Sequence, residues 1–330
     1  MNNPSYIDRT YEKFESVLEI YAARFLKTVS QACPVYACET MEHLRLPPER
    51  GEMKQIAPGQ SWGTEYGNLW LETDVTVPAE ADGKILCAIP DADAVEILCF
   101  KDGKPAGIIN SKNHFIGGEH PAFFITFGAK AGETVSLAFE CYAGHTCFGT
   151  QPYDAYGRDE NKPDNYTHTY RGIRLCVMDE EMRDFVFDLA TVLQIAKLPH
   201  SNFTATKAHE CLMDAFPYLI GDPLSADEED IQASIRSIRA CIAPALEKTG
   251  GELSRGKVGV IGHSHMDTAW LWPVSETIRK CARTYAEALT LMDFYPDYTF
   301  IQSSALHLDW MREYYPAIFE GIRARVKEGR

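Results

Sequence analysis

The sequence has no apolar run approaching the ~20 residues that a membrane-spanning helix needs. It is also short of positive charge, with 32 Lys and Arg against 47 Asp and Glu. The resulting formal charge of −15 argues against the broad positive face with which proteins capture nucleic acid or an anionic membrane surface. Met1 to Ala22 contains no continuous apolar stretch of signal-peptide length and is charged from Asp8 onward. None of the ten cysteines forms a Cys-x-x-Cys pair, and several lie inside apolar runs such as Ile97-Leu98-Cys99-Phe100. With no secretion signal read, these are expected to be reduced, mostly buried thiols of a cytoplasmic protein. Internal repeats and low-complexity tracts are also missing.

What is present is ordinary for a globular chain: 330 residues, 45% apolar and 24% charged, enough for more than one domain. The pattern changes character along the chain. Ile7, Tyr11, Phe14, Leu18 and Phe25 recur at helical spacing, so residues 1–49 are expected to be an amino-terminal helical segment. Residues 50–178 read as β-structure. Leu69, Leu71, Thr73, Val75 and Val77 alternate with Trp70, Glu72, Asp74 and Thr76, the two-residue period of a strand. Ile85–Ile89, Val95–Phe100, Phe123–Phe127 and Val135–Phe139 continue the series, and Asp102-Gly103 carries a hairpin signal. Short strands between Gly- and Pro-containing turns predict an antiparallel β-sandwich or jelly roll.

Residues 179–250 change to helical period. Met182, Phe185, Val186, Leu189, Leu193 and Ala196 share one face, and Ser225 with Glu228 has the form of a capping box ahead of Ile231, Ile235, Ile238 and Ile242. This region reads as a helical connector. In residues 251–330 the order is strand (Lys257–Ile261), helix from about Ser275, strand (Tyr298–Ile301), then helices Leu306–Tyr314 and Ile318–Val326. Strand–helix alternation predicts parallel α/β structure, and two strands cannot close a barrel. The expected class is therefore multidomain α+β: a β-sandwich, a helical connector and the truncated start of a parallel (β/α) barrel.

Gly262-His263-Ser264-His265-Met266-Asp267 follows the Lys257–Ile261 strand directly. Parallel α/β folds bind ligands at the carboxyl ends of their strands. Imidazole and carboxylate donors suit Zn²⁺ or another borderline divalent ion such as Co²⁺. Side chains two apart in an extended segment point the same way, so His265 and Asp267 can meet on one ion, with His263 joining them or supporting them. The plainer alternative is that the histidines only cap backbone groups at a strand end. H-x-H-x-D strings also occur in metallo-β-lactamase-like hydrolases and H-x-H in amidohydrolases, but Thr268 stands here where the former carry a further His. Trp62, Trp70 and Phe148 could form a sugar platform, though a sandwich core also needs such residues. Asp154 to Asn165, rich in oxygen donors, reads as a solvated loop without EF-hand spacing.

The run His263-Ser264-His265-Met266-Asp267-Thr268-Ala269-Trp270-Leu271-Trp272-Pro273 resembles the start of the catalytic domain of family 38 α-mannosidases. Gln302-Ser303-Ser304-Ala305, Trp310 and Glu313-Tyr314-Tyr315-Pro316 resemble its cytosolic and bacterial branch. Pro58–Gly63 and Asn68-Leu69-Trp70 look, more loosely, like that branch's β-rich domain. The resemblance implies that His265 and Asp267 hold a Zn²⁺ which grips two adjacent hydroxyls of a mannose ring. It implies that Trp270 forms an aromatic wall against the sugar, while Trp272 is expected to pack the barrel. A nucleophilic Asp of a retaining mechanism is expected beyond Arg330, leaving no catalytic carboxylate in this chain. Glu276, ahead of Arg279 and Lys280, reads as half of a solvent-facing helical pair, and Asp293 and Asp309 are not candidates either.

The partner implied is a mannose-containing oligosaccharide, with no nucleic acid and no membrane; self-association to a homo-oligomer is left open. Two rival readings remain: a metallohydrolase of amidohydrolase or metallo-β-lactamase type, and a non-catalytic carbohydrate-binding fragment.

Overall fold

A computed structural model describes residues 6–110, 122–144, 166–199, 203–247, 259–270 and 272–330. Phe148, Asp154 to Asn165, Lys257 and Val258, and Leu271 lie outside the described residues. The fold is mixed α and β, and the chain separates into two compact units, each assembled from two stretches of sequence. One comprises Met1–Lys27 with Met178–Val258, the other Thr28–Val177 with Gly259–Arg330.

The first unit is helical: α1 (Tyr6–Ala22), α2 (Glu180–Ala196), α3 (Phe203–Ala215) and α4 (Glu228–Leu246). Its core joins Phe14, Val17 and Tyr21 of α1 to Phe185 and Leu189 of α2, Leu212 of α3 and Ile235 of α4. These are the stripes that the 3.6-residue period marks out. Asp179 caps α2 by accepting a hydrogen bond from the Met182 amide at 3.0 Å. The Ser225–Glu228 capping box does not form. Ser225 Oγ donates to the Asp222 carboxylate at 2.7 Å, and α4 starts two residues later than that box requires, with Asp227 at its N-cap. Helix fills only part of the 1–49 segment. Its remainder supplies β1 (Leu26–Gln31) and β2 (Tyr36–Thr40), part-exposed strands with no clean alternation to announce them.

The second unit contains two antiparallel sheets. The strands are β3 (Lys54–Gln55), β4 (Ser61–Trp62), β5 (Asn68–Thr76), β6 (Ile85–Asp91), β7 (Glu96–Lys101), β8 (Lys104–Ile109), β9 (Phe123–Phe127), β10 (Thr134–Tyr142), β11 (His168–Thr169) and β12 (Gly172–Met178). One sheet runs β1-β12-β6-β9, the other β3-β2-β5-β10-β7-β8, and β11 pairs with β4. Asp102 and Gly103 turn the β7–β8 hairpin with φ of 49° and 73°, the left-handed pair that a two-residue hairpin turn demands. Leu71, Val75, Leu137, Phe139, Ile173 and Leu175 belong to the core between the sheets. Trp62 and Trp70 are core residues, 3% and 0% exposed.

The outer face of the six-stranded sheet is covered as well. Trp70, Leu98, Phe100 and Ala138 alternate with inward neighbours and pack against Ile278, Cys281, Ala282 and Tyr285 of α5 (Val274–Phe294). β10 is therefore buried on both faces along most of its length. The carboxyl-terminal stretch thus packs against the sandwich, in the same compact unit. It adds β13 (Gly262–His263), β14 (Phe300–Ile301), α6 (Ala305–Tyr314) and α7 (Pro316–Glu328). β13 and β14 are parallel, with α5 in the crossover. The first of these strands lies later than expected: residues 259–261 are not in it. Among the described residues no helix is long and apolar enough to cross a membrane.

Candidate functional site

The segment after β13 is held at its start by the Gly262 amide, which donates to Thr299 O at 2.8 Å. It then alternates as an extended chain does. Met266 packs into the α5 core and its sulfur receives the Cys281 thiol at 3.1 Å. The flanking His265 and Asp267 remain more accessible, with side chains 86% and 39% exposed. His265 Nε2 and Asp267 Oδ2 lie 3.7 Å apart. His263 turns to the neighbouring strand, its Nδ1 3.3 Å from Ile301 O. Among the described residues no group of three or more His, Cys, Asp and Glu side chains gathers where an ion could sit.

His265 and Asp267 share a cleft of about 400 Å³ with Trp272, Lys280 and Arg283, and with Glu96 from β7. The sandwich thus contributes one wall. Trp272, expected to pack the barrel, is partly buried and also lines this cleft. Its indole N–H donates to Thr277 Oγ1 at 3.0 Å, and Lys280 Nζ sits 5.0 Å from its ring centre. Trp270, on the same loop, is 55% exposed.

A buried charge network lies behind the cleft, and reading the sequence missed it. Glu276 is 1% exposed, not a solvent-facing partner as its helical spacing suggests, because the face of α5 that carries it is covered by the sheet. Arg279, fully buried, reaches Glu140 of β10 at 2.9 Å and Glu276 at 3.3 Å, and donates to Asn68. Its guanidinium also lies 4.9 Å from the Tyr142 ring centre. Arg283 joins Glu276 at 2.5 Å to Glu96 at 2.7 Å, and Lys280 reaches Glu96 at 3.5 Å. Burial acts to raise the Glu96 carboxyl, but Arg283 and then Lys280 outweigh it and hold it at about 2. Glu276 is likewise lowered, Arg283 and Arg279 overcoming its burial. At Glu140 burial wins and the carboxyl is raised. Three carboxylates facing three cations across a helix–sheet contact carry no periodic signature. The one available hint was the i, i+3 and i+7 placement of Glu276, Arg279 and Arg283.

Residues 255–330 match the family described as Glycosyl hydrolases family 38 N-terminal domain. This segment is similar to glycoside hydrolase family 38. Alpha-mannosidase 2C1 of Mus musculus is 27% identical over 301 residues, covering 90% of this chain and 27% of that protein. An Alpha-mannosidase of Saccharomyces cerevisiae (strain ATCC 204508 / S288c) is 45% identical over 62 residues, covering 19% of this chain and 6% of that protein. The chain thus spans about a quarter of the length of the first of these curated relatives, and less of the second. A Faecalibacterium prausnitzii Beta-glucuronidase of known structure aligns with 46% of this chain and 32% of its own at 15% identity. Its TM-score of 0.31 is too low to argue from. The family 38 segment contains β13, the His265–Asp267 loop and α5 to α7.

Proposed function

We propose that this chain is the amino-terminal part of a metal-dependent retaining α-mannosidase acting on terminal α-mannosides of oligosaccharides. The observation that carries the reading is the 3.7 Å approach of His265 Nε2 to Asp267 Oδ2, on the loop after β13 and inside the family 38 segment. Two donors each about 2.0–2.2 Å from a tetrahedral ion stand roughly 3.4 Å apart, so the pair fits a shared Zn²⁺ or Co²⁺ with little movement. When bound, such an ion supplies an anchor and a Lewis acid for neighbouring sugar hydroxyls.

The remaining roles fall to side chains. Trp270 offers its exposed ring to the C–H face of a pyranose. Retention requires a carboxylate nucleophile and a second carboxyl as acid and base. Glu276, Asp293 and Asp309 are not assigned to either role, since each is paired with arginine: Glu276 with Arg279 and Arg283, Asp293 with Arg325, and Asp309 with Arg312. The parallel β13–β14 pair joined through α5 supports reading this stretch as the opening of a (β/α) barrel. A reducing, cytoplasmic setting is proposed as well, in keeping with six buried free thiols among the described cysteines.

The test measures cleavage of an aryl α-mannoside by the longest form of the protein, with metal content followed in parallel. Chelation should abolish turnover and Zn²⁺ or Co²⁺ should restore it, while His265→Ala and Asp267→Ala should each lower bound metal at least tenfold. Chelator-resistant turnover by metal-free protein would overturn the metal role. Amide or ester cleavage in place of mannoside cleavage would favour the metallohydrolase reading, and sugar binding without any turnover the non-catalytic one.

A further inference from the structure

We infer that His307 is a positioning residue for the loop carrying His265, Asp267 and Trp270, acting through Thr268. Residues 264–270 form no helix or strand. Two donors that must meet on one ligand therefore depend on anchors elsewhere. Met266 anchors one side. On the other, Thr268, next to Asp267, is held at two points. Its Oγ1 lies 3.0 Å from His307 Nε2, and its carbonyl accepts from Thr277 Oγ1 at 3.0 Å. Thr277 Oγ1 in turn accepts the Trp272 indole N–H at 3.0 Å. Together these bonds fix the backbone on the carboxyl side of Asp267 and tie it to the starts of α5 and α6.

His307 is built for that task more than for packing. Its ring is 2% exposed and stacked on Trp310, centroids 5.5 Å apart at 21°. Burial holds the imidazole below its ordinary value, so at neutral pH it carries one N–H. Nδ1 has no hydrogen-bond partner among the described residues. An orphaned buried N–H costs more than an orphaned acceptor, so the proton belongs on Nε2 and His307 donates to Thr268 Oγ1. An apolar side chain would fill the space without desolvating a ring nitrogen. What the imidazole adds is the bond to Thr268.

The ligand part of this inference rests on the proposed role of His265 and Asp267; the ordering of the loop does not. The experiment compares His307→Leu, His307→Gln and Thr268→Val in this chain by amide hydrogen exchange of residues 264–270 and by Zn²⁺ titration calorimetry. His307→Leu should speed exchange in that loop about tenfold and weaken Zn²⁺ by about tenfold, the scale of losing a support behind a ligand, while α5 and α7 keep their protection. His307→Gln, which retains a donor towards Thr268, should return both towards the original values. Thr268→Val should reproduce His307→Leu and add nothing to it. A His307→Leu protein with loop exchange and Zn²⁺ affinity unchanged would overturn the inference. So would general loosening of α6 and α7 with Thr268→Val silent, which would make His307 a packing residue. Failure of the unsubstituted chain to take up Zn²⁺ would leave the metal role to be decided in the longest form of the protein, and loop exchange would decide the positioning role.

Discussion

In the helical unit Phe14, Leu189, Ile235 and Ile242 meet as an apolar core, and its fully buried polar side chains among the described residues are Thr10 and Ser234, neither of them charged. The contact of α5 with the six-stranded sheet is as dry, yet it encloses Glu140, Glu276, Arg279 and Arg283. Both are helix faces in a core, and the energetic difference lies in what happens when one member is removed. An aliphatic core loses area and gains a small cavity, in proportion to the atoms deleted. A buried ionic cluster loses compensation, and the partner left behind keeps its full desolvation cost.

The largest expected effect follows from that asymmetry. Arg279→Met should destabilise the sandwich unit by about 3–5 kcal/mol, because Glu140 and Glu276 lose a shared counter-charge. Replacing Arg279, Glu140 and Glu276 together by apolar residues of similar volume should recover most of that loss. Urea unfolding of the three proteins checks both statements, and a mild Arg279→Met would erase the contrast between the two cores.

The next effect is in acid. Glu96 is held at about 2 in the folded protein against an ordinary 4.5, so its contribution is complete above pH 4.5 and fades as pH falls towards 2. Glu276 acts in the same sense, and Glu140, raised, in the opposite one. Glu96→Gln should therefore flatten the acid limb of stability between about pH 5 and pH 2, leaving the helical unit's profile untouched. Unfolding midpoints collected across that range measure the slope, and an unaltered slope would remove Glu96 from the network. The smallest effect is Ile235→Val, expected to cost about 0.5–1.5 kcal/mol within the helical unit. A loss as large as that of Arg279→Met would mean the aliphatic core is far less forgiving than its composition implies.

Much of this was legible in the residues. The faces of α2, α4 and α5 follow from apolar spacing, β5 from strict alternation, and the β7–β8 turn from Asp102-Gly103, because each is a local rule acting on neighbours in sequence. The approach of His265 to Asp267 was legible for the same reason: in extended chain a separation of two is a statement about direction. What escaped was non-local. Glu276 looked exposed since nothing in α5 tells which of its faces meets β10. Ser225 resembled a cap until Asp222 claimed its hydroxyl. His307 carried no signal because its partner Thr268 is 39 residues away. The unevenly buried β1 and β2 offered too little alternation to register.

The division of each unit between two stretches of sequence has a consequence for biosynthesis. α1 leaves the ribosome ahead of the rest of its unit, and Ile242, at the far end of its core, is more than two hundred residues behind it. At typical elongation rates of about 5–20 residues per second, the apolar stripe of α1 waits roughly 10–40 s for its partners. The strands from Thr28 to Val177 are complete well before then, so the nascent chain must shelter one greasy helix while its sandwich is already able to collapse.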